Sequence, residues 1–407
     1  MRDRRWVLPL LLLVLAGSVQ ASGTTPFKER VASGKPLTIV CFGDSITGVY
    51  YHTGGRRAYP EMLELAIKQA YPESRVKVIN AGISGNTTRE ALARIDRDVL
   101  KHKPDLVTVM FGMNDMVRVP LEDFKKNMTE IKDRCQKAGA EVVFCTQNNV
   151  IETAGRPNKK LLEFTQAIRA LAGDLKLPVA DCHAAFEDQK TRSADDWRLL
   201  LSDEIHPNMD GHKRMAETIA RAVLDKKVSL KDAGPPVPAI PRTLQRLKAN
   251  EPIRVLAMPP FDKLIGPALK ELNPKADVEI TPWPTEGQSL AKLEAAAKKV
   301  RGMKLDLVIV AVPAGAAAPD RENRIRSYSW ILNNSLSFGT QQWDVIAMPP
   351  STANPKLSAD EMEQDRFARR MIAAQDLSMI TRKQGEEALE LPAVVLRWLR
   401  EQEKASP

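Results

Sequence analysis

Apolar positions recur along this chain with two different periods. "LTIVCF", residues 37–42, is a continuous β-branched run of strand length. "PEMLELAIKQAY", residues 60–71, returns its apolar residues every three or four positions, and it opens on Pro60, which suits a helix start. The two signatures then follow one another. "VKVIN" predicts a strand and "TTREALARIDRDVLKH" a helix, with Thr87 and Glu90 spaced as a capping box. "DLVTVMF" predicts a strand buried on both faces, and "LEDFKKNMTEIKDRCQKAG" a helix that stops at Gly139. "EVVFCT", "KKLLEFTQAIRALAGDL", "PVADC" and "GHKRMAETIARAVLD" continue the rhythm. Short apolar strands joined by helices predict an α/β unit with a parallel sheet covered on both faces.

The rhythm breaks at "DAGPPVPAIP", where four prolines favour an extended linker, and then resumes. "IRVLAM", "ADVEIT", "LDLVIVAV" and "WDVIAM" are further strand-like runs, and "LPAVVLRWLREQ" closes the chain as a helix. Three of these strands stand at a nearly constant distance from earlier ones. "NPKADVEI" follows "YPESRVKVI" by 202 residues, "DLVIVAVP" follows "DLVTVMFG" by 201, and "VIAMPP" follows "VVFCTQ" by 202. A second α/β domain patterned on the first is expected. The boundaries so drawn are 35–226 for the first domain, 227–250 for the linker and 251–402 for the second domain.

Composition narrows the class. With 407 residues, 43% hydrophobic and 27% charged, the chain has the make-up of a folded two-domain protein. Its net charge of +9 is dispersed, with no basic block interleaved with aromatics, which argues against a nucleic-acid partner. Residues 1–21 combine Arg2, Arg4 and Arg5 with a short apolar core and the small residues of a cleavage site, the pattern of a signal peptide. An exported protein with no membrane span in its mature form is expected. Cys41, Cys135, Cys145 and Cys182 match no zinc spacing, and three lie in apolar runs, so buried free thiols are expected, with Cys145–Cys182 the one pair to check.

Candidate chemistry collects at strand ends. Ser45 ends the first strand in "GDS", Gly85 follows the second in "NAGISGN", and Asn114 follows the third in "FGMND". Asp203 and His206 lie in "SDEIHPN" ahead of the last helix of this unit. In an open parallel sheet these loops gather along one edge. There Ser45 can attack an acyl carbon if a base takes its proton, and His206 can serve near neutral pH. Asp203 can fix the tautomer of His206 and stabilise its cation. The backbone N–H groups of Ser45 and Gly85 and the Asn114 amide can hold the resulting oxyanion. Taken singly, Gly85 and Asn114 read as turn residues and His206 as a loop histidine. His52, His102, His183 and His212 read as solvated or structural, and Asp44 and Asp115 as loop-holding groups.

Together, "GDSIT", the Gly of "AGISGNT", "GMND" and "DEIH" resemble, in this order, the four blocks of the SGNH hydrolases, also called the GDSL esterase/lipase family. The resemblance spans residues 35–225. It implies a flavodoxin-like three-layer α/β/α sheet, the SGNH hydrolase fold, and a serine esterase mechanism with no metal and no cofactor. Ser45, Gly85, Asn114 and His206 take the four named roles, with Asp203 as orienter. Secreted members often deacetylate carbohydrates, so hydrolysis of short acyl esters, O-acetyl groups on carbohydrate in particular, is the expected activity. The alternatives are a lysophospholipase or thioesterase on the same machinery, and a non-enzymatic glycan-binding protein on an esterase fold. In the second domain, Pro260 falls opposite Ser45, Gly287 opposite Gly85 and Gly315 opposite Asn114, and no histidine occurs after His212. A degenerate, pseudo-catalytic SGNH-like domain is expected there.

Overall fold

The computed structural model describes residues 26–49, 51–337 and 341–406. The expected leader, residues 1–21, lies outside the described residues. Two α/β domains follow, each built on a five-stranded parallel sheet. The first holds β1 (Pro36–Gly43), β2 (Arg75–Gly82), β3 (Leu106–Met110), β4 (Glu141–Cys145) and β5 (Val179–Ala180) in the order β2-β1-β3-β4-β5. The second holds β6 (Ile253–Ala257), β7 (Val278–Pro282), β8 (Leu307–Val310), β9 (Asp344–Ala347) and β10 (Ser378–Met379) in the order β7-β6-β8-β9-β10. Counted from its own first strand, each sheet runs 2-1-3-4-5.

The central strands explain the apolar runs. Every residue of β3, and of β8 in the second sheet, is buried, because helices cover both faces. In the first domain the helices Tyr59–Ala70 and Met209–Leu224 pack together, while Thr88–Asp98, Leu121–Lys137 and Asn158–Asp174 form another packed group. The capping box holds as spaced: Glu90 accepts from the Thr87 N–H at 2.7 Å, and Thr87 Oγ1 accepts from the Arg89 N–H. All four cysteines are buried and unpaired. Among the described residues no helix is long and apolar enough to cross a membrane.

Two expectations need correction. The stretch 227–250 is not linker throughout, because Pro241–Ala249 is a helix that buries Thr243, Leu244 and Leu247 in the second domain. Its counterpart is Pro26–Ala32, which lies ahead of the expected start at 35 and buries Phe27 and Val31 in the first core. Each helix leads into the first strand of its domain and carries an arginine against the corresponding aspartate, Asp105 or Asp306. Arg30 Nη1 meets Asp105 Oδ1 at 2.6 Å, and Arg246 Nε meets Asp306 Oδ1 at 3.4 Å. The other oxygen of each aspartate accepts a strand N–H, from Thr38 at 2.8 Å and from Arg254 at 3.0 Å.

Strand register supplies the second correction. Ile39 is paired with Val78 and Leu106, and Val255 with Ile280 and Leu307. Val255 is therefore the counterpart of Ile39, one residue away from the match drawn on sequence. The residue opposite Ser45 is then Phe261, not Pro260. Phe261 is 1% exposed, opens the helix Phe261–Leu272, and its N–H donates to Met258 O at 3.0 Å. The backbone donor that a proline would have removed is present but already occupied. β4 and β9 also shift by one, since Val142 and Val345 hold matching positions beside Val107 and Val308.

Candidate active site

β1 ends at Gly43, and the chain turns at once, with Thr47 and Gly48 N–H groups returning to Asp44 O at 3.2 and 3.0 Å. This turn presents Ser45 at the C-terminal edge of the sheet. It lies so tightly on the end of β2 that a Cβ on Gly82 would sit 2.2 Å from Gly48 N. Asp44 is fully buried beneath the turn. Its Oδ1 accepts from the Ile46 N–H at 2.9 Å, and its Oδ2 faces the amides of Gln147 at 3.1 Å and Asn114 at 3.5 Å. Burial raises its carboxyl to about 6, against the pull of these donors. Asp115 accepts from the Thr88 N–H and hydroxyl and from the Gly112 N–H, and so ties the β3 loop to the start of the helix Thr88–Asp98. Both aspartates hold loops, as expected.

Residues separated by 161 positions meet here. Ser45 Oγ lies 2.9 Å from His206 Nε2, and His206 Nδ1 lies 2.9 Å from Asp203 Oδ2. Asp203 Oδ1 also accepts the backbone N–H groups of Ile205 and His206, each at 2.7 Å. Burial disfavours the Asp203 anion, but the facing His206 and these donors outweigh it, and its carboxyl titrates well below the usual range. Burial likewise disfavours the His206 cation, yet Asp203 holds the His206 pKa above its ordinary value.

Gly85 and Asn114 complete the edge. Gly85 has φ of +76°, a conformation only glycine adopts without strain, and nothing lies within 4 Å of where its Cβ would be. Asn114 Nδ2 donates to Asn86 O at 3.0 Å, while Asn114 Oδ1 accepts from Arg156 Nη2 at 3.3 Å. The five residues picked out on sequence therefore share one sheet edge.

The sequence did not reveal three residues around them. Arg94 is buried and donates to Gly43 O, Ala81 O and Asn86 Oδ1, joining the ends of β1 and β2 to the Gly85–Asn86 loop. Its signal was an arginine on the apolar face of a helix, between buried Ala91 and Ile95. His52, read as solvated or structural, stacks on His206 with ring centroids 4.3 Å apart, and its Nε2 lies 3.4 Å from Asp203 Oδ2. Asn333 of the second domain lies behind it. His52, Asp203 and His206 have ligand-capable atoms within 4.8 Å of one another. Of these atoms, His206 Nδ1 is hydrogen-bonded to Asp203 Oδ2 at 2.9 Å and His206 Nε2 is directed at Ser45, while His52 Nε2 faces Asp203 from 3.4 Å.

A serine, a histidine and an aspartate thus stand in series at the C-terminal edge of a parallel sheet, an arrangement suited to nucleophilic acyl transfer. Residues 41–214 match the model of the GDSL-like lipase/acylhydrolase family. The chain is 32% identical over 199 residues to an arylesterase of Vibrio mimicus, covering 94% of that protein and 49% of this chain. It is 27% identical over 218 residues to an acetylxylan esterase of Geobacillus stearothermophilus, covering 96% of that protein and 48% of this chain. A solved structure of an acetylxylan esterase from Geobacillus stearothermophilus aligns with a TM-score of 0.42 at 24% identity, over 47% of this chain and 96% of the other. The chain belongs to the GDSL-like lipase/acylhydrolase family and is a carboxylic ester hydrolase.

Proposed function

We propose that this protein is an exported serine esterase that removes short acyl groups, O-acetyl groups on carbohydrate foremost, through an acyl-enzyme. The observation that carries the proposal is the unbroken series Ser45 Oγ, His206 Nε2, His206 Nδ1 and Asp203 Oδ2, with both contacts at 2.9 Å. Ser45 Oγ attacks the acyl carbon while His206 Nε2 takes its proton. The carbonyl oxygen becomes an oxyanion held by the N–H groups of Ser45 and Gly85 and by Asn114 Nδ2. One Asn114 hydrogen stays on Asn86 O, and the other, resting on Asp44 Oδ2 at 3.5 Å, is the one that can turn to the oxyanion. Collapse expels the sugar hydroxyl, which receives the proton from His206. Water, deprotonated by the same nitrogen, then releases the acid and regenerates Ser45.

The acetyl preference is supported by the acetylxylan esterase named above and by the family resemblance. We also read the second domain as a degenerate flavodoxin-like SGNH unit that performs no hydrolysis, since Phe261 and Gly315 stand opposite Ser45 and Asn114 and no histidine follows His212. The test is a chain-length series of p-nitrophenyl esters followed by acetylated xylan. Acetyl esters should be cleaved fastest, with acetate released from the polysaccharide. A preference for chains of eight or more carbons would shift the assignment to a lysophospholipase or thioesterase.

A further inference from the structure

We propose that His52 is a positioning residue for Asp203 and His206, and that its working tautomer is imposed from the second domain by Asn333. This rests on the catalytic reading of Ser45, His206 and Asp203. The helix Arg321–Ser335 of the second domain runs behind the first domain's site, bringing Asn333 Nδ2 within 3.5 Å of His52 Nδ1 and the Trp330 ring edge-on to His52 at 6.2 Å. The same Asn333 Nδ2 donates to Ser202 Oγ at 2.8 Å, and Gln375 Nε2 of the second domain donates to that oxygen at 2.9 Å. His52, Ser202, Asn333 and Gln375 are all buried, so the cluster is fixed from both sides.

The proton placement follows from the donors. An amide N–H can face His52 Nδ1 only if that nitrogen carries no hydrogen. Burial holds the His52 pKa well below its ordinary value, so the ring is neutral, with a single N–H. In this arrangement the hydrogen is on Nε2, which faces the Asp203 Oδ2 charge from 3.4 Å, a contact longer than the 2.9 Å bond between His206 and the same oxygen. His52 thereby steadies the carboxylate that orients His206, while its ring, stacked at 16° to the His206 ring, fixes the plane of the base. The titratable or charged groups facing His52 include Asp203, His206, His212 and Arg301, and those facing His206 include Asp203, Asp44, Arg156, His52 and His212.

Two full-length variants test this. His52→Phe keeps a flat ring but loses the N–H that faces Asp203. Asn333→Asp is nearly isosteric but replaces the donor facing Nδ1 with an acceptor, drawing the ring proton to Nδ1 and turning a bare Nε2 toward the carboxylate. Each should lower kcat by about tenfold or more with little change in KM, as expected when geometry near the base is lost. In His52→Phe, Asp203 is no longer shared, so the acid limb of kcat/KM should move to higher pH. His52→Gln, which can restore an N–H, should recover part of the loss. If His52→Phe fails to fold by its melting curve, Asn333→Asp decides. Wild-type kcat and pH profile in both variants, with Ser45→Ala inactive, would overturn the inference alone. Full activity in Ser45→Ala would instead overturn the catalytic reading beneath it.

Discussion

The two domains share a scaffold and differ at the sheet edge. Both run 2-1-3-4-5, and both enter their first strand through a helix whose arginine meets an aspartate that also caps the strand. Both place a left-handed glycine after the second strand, Gly85 at φ +76° and Gly287 at φ +64°. Two residues further on, both have a helix-capping hydroxyl, on Thr87 and on Ser289. The groups opposite Ser45 and Asn114, however, are Phe261 and Gly315. On the proposed reading, what fixes the backbone and what does chemistry are separable in sequence. The first set serves both domains, and the second is present in one. The domain without it is not idle, since its Asn333 reaches His52 and its Asp376 receives Arg57.

The contrast breaks most directly at Ser45. In the full chain, Ser45→Ala should lower kcat by on the order of 10⁴-fold or more, because nucleophile and base act as a unit. The fold should persist, since the hydroxyl contributes little packing. Substantial remaining hydrolysis of p-nitrophenyl acetate would mean that the second domain, or another group, is catalytic after all.

The next largest effect concerns how firmly the domains are joined. Arg57 meets Asp376 through two bonds of 2.8 and 2.6 Å, and the Asp376 side chain is 2% exposed. Arg57→Ala leaves that carboxylate buried without its partner, a change that costs about 3–5 kcal/mol in comparable pairs. Urea titration should show the loss, with Asp376→Asn milder because it removes the charge together with the pair. An unmoved midpoint in Arg57→Ala would mean that the two domains hold each other only loosely.

Within the first domain, Asn114→Ala should lower kcat about 100- to 1000-fold by removing one oxyanion donor. Gly315→Asn in the second domain should restore nothing when measured in a Ser45→Ala background. The pH profile sharpens the assignment further. In the proposed mechanism only neutral His206 accepts the proton of Ser45, and Asp203 holds the His206 pKa above 6.5 despite burial. Activity must therefore be lost as pH falls through that raised value, and the acid limb of kcat/KM should have its midpoint above 6.5. A midpoint below it would place a different group in the role of base.

Much of this was legible in the residues because strands and blocks carry local signals. Ser45, Gly85 and Asn114 sit in short motifs after strands, where parallel-sheet topology gathers them, and Asp203 and His206 sit in a short motif ahead of the last helix of the unit. The Phe261 register was not legible, because "IRVLAMPP" and "LTIVCFGD" slide past each other by one residue without loss of apolar pattern. Only hydrogen-bonded pairing to β7 and β8 fixes the match. The helix Pro241–Ala249 was masked by the prolines before it, although its Thr243, Leu244 and Leu247 are buried. His52 and Asn333 left no signal at all. A lone histidine in a short turn and an asparagine within a helix acquire meaning only from packing between domains 281 residues apart in sequence.

The smallest effect separates scaffold from chemistry most cleanly. Gly85 and Gly287 share a backbone conformation, and at neither does any atom lie within 4 Å of where a methyl would stand, so alanine at either site meets strain and not a clash. That strain costs about 1–2 kcal/mol for an L-residue in the left-handed region. Both Gly85→Ala and Gly287→Ala should therefore lower stability by a similar small amount in chemical denaturation. Their kinetics should part company. Gly85→Ala sets a methyl at the loop whose N–H is proposed to face the oxyanion and should lower kcat, whereas Gly287→Ala should leave kcat and KM on acetyl esters unchanged. If both variants lost activity equally, the glycine would be acting through the scaffold in both domains, and the proposed role of the Gly85 N–H would fall. If neither did, Gly85 would be a turn residue and the oxyanion would rest on Ser45 and Asn114 alone.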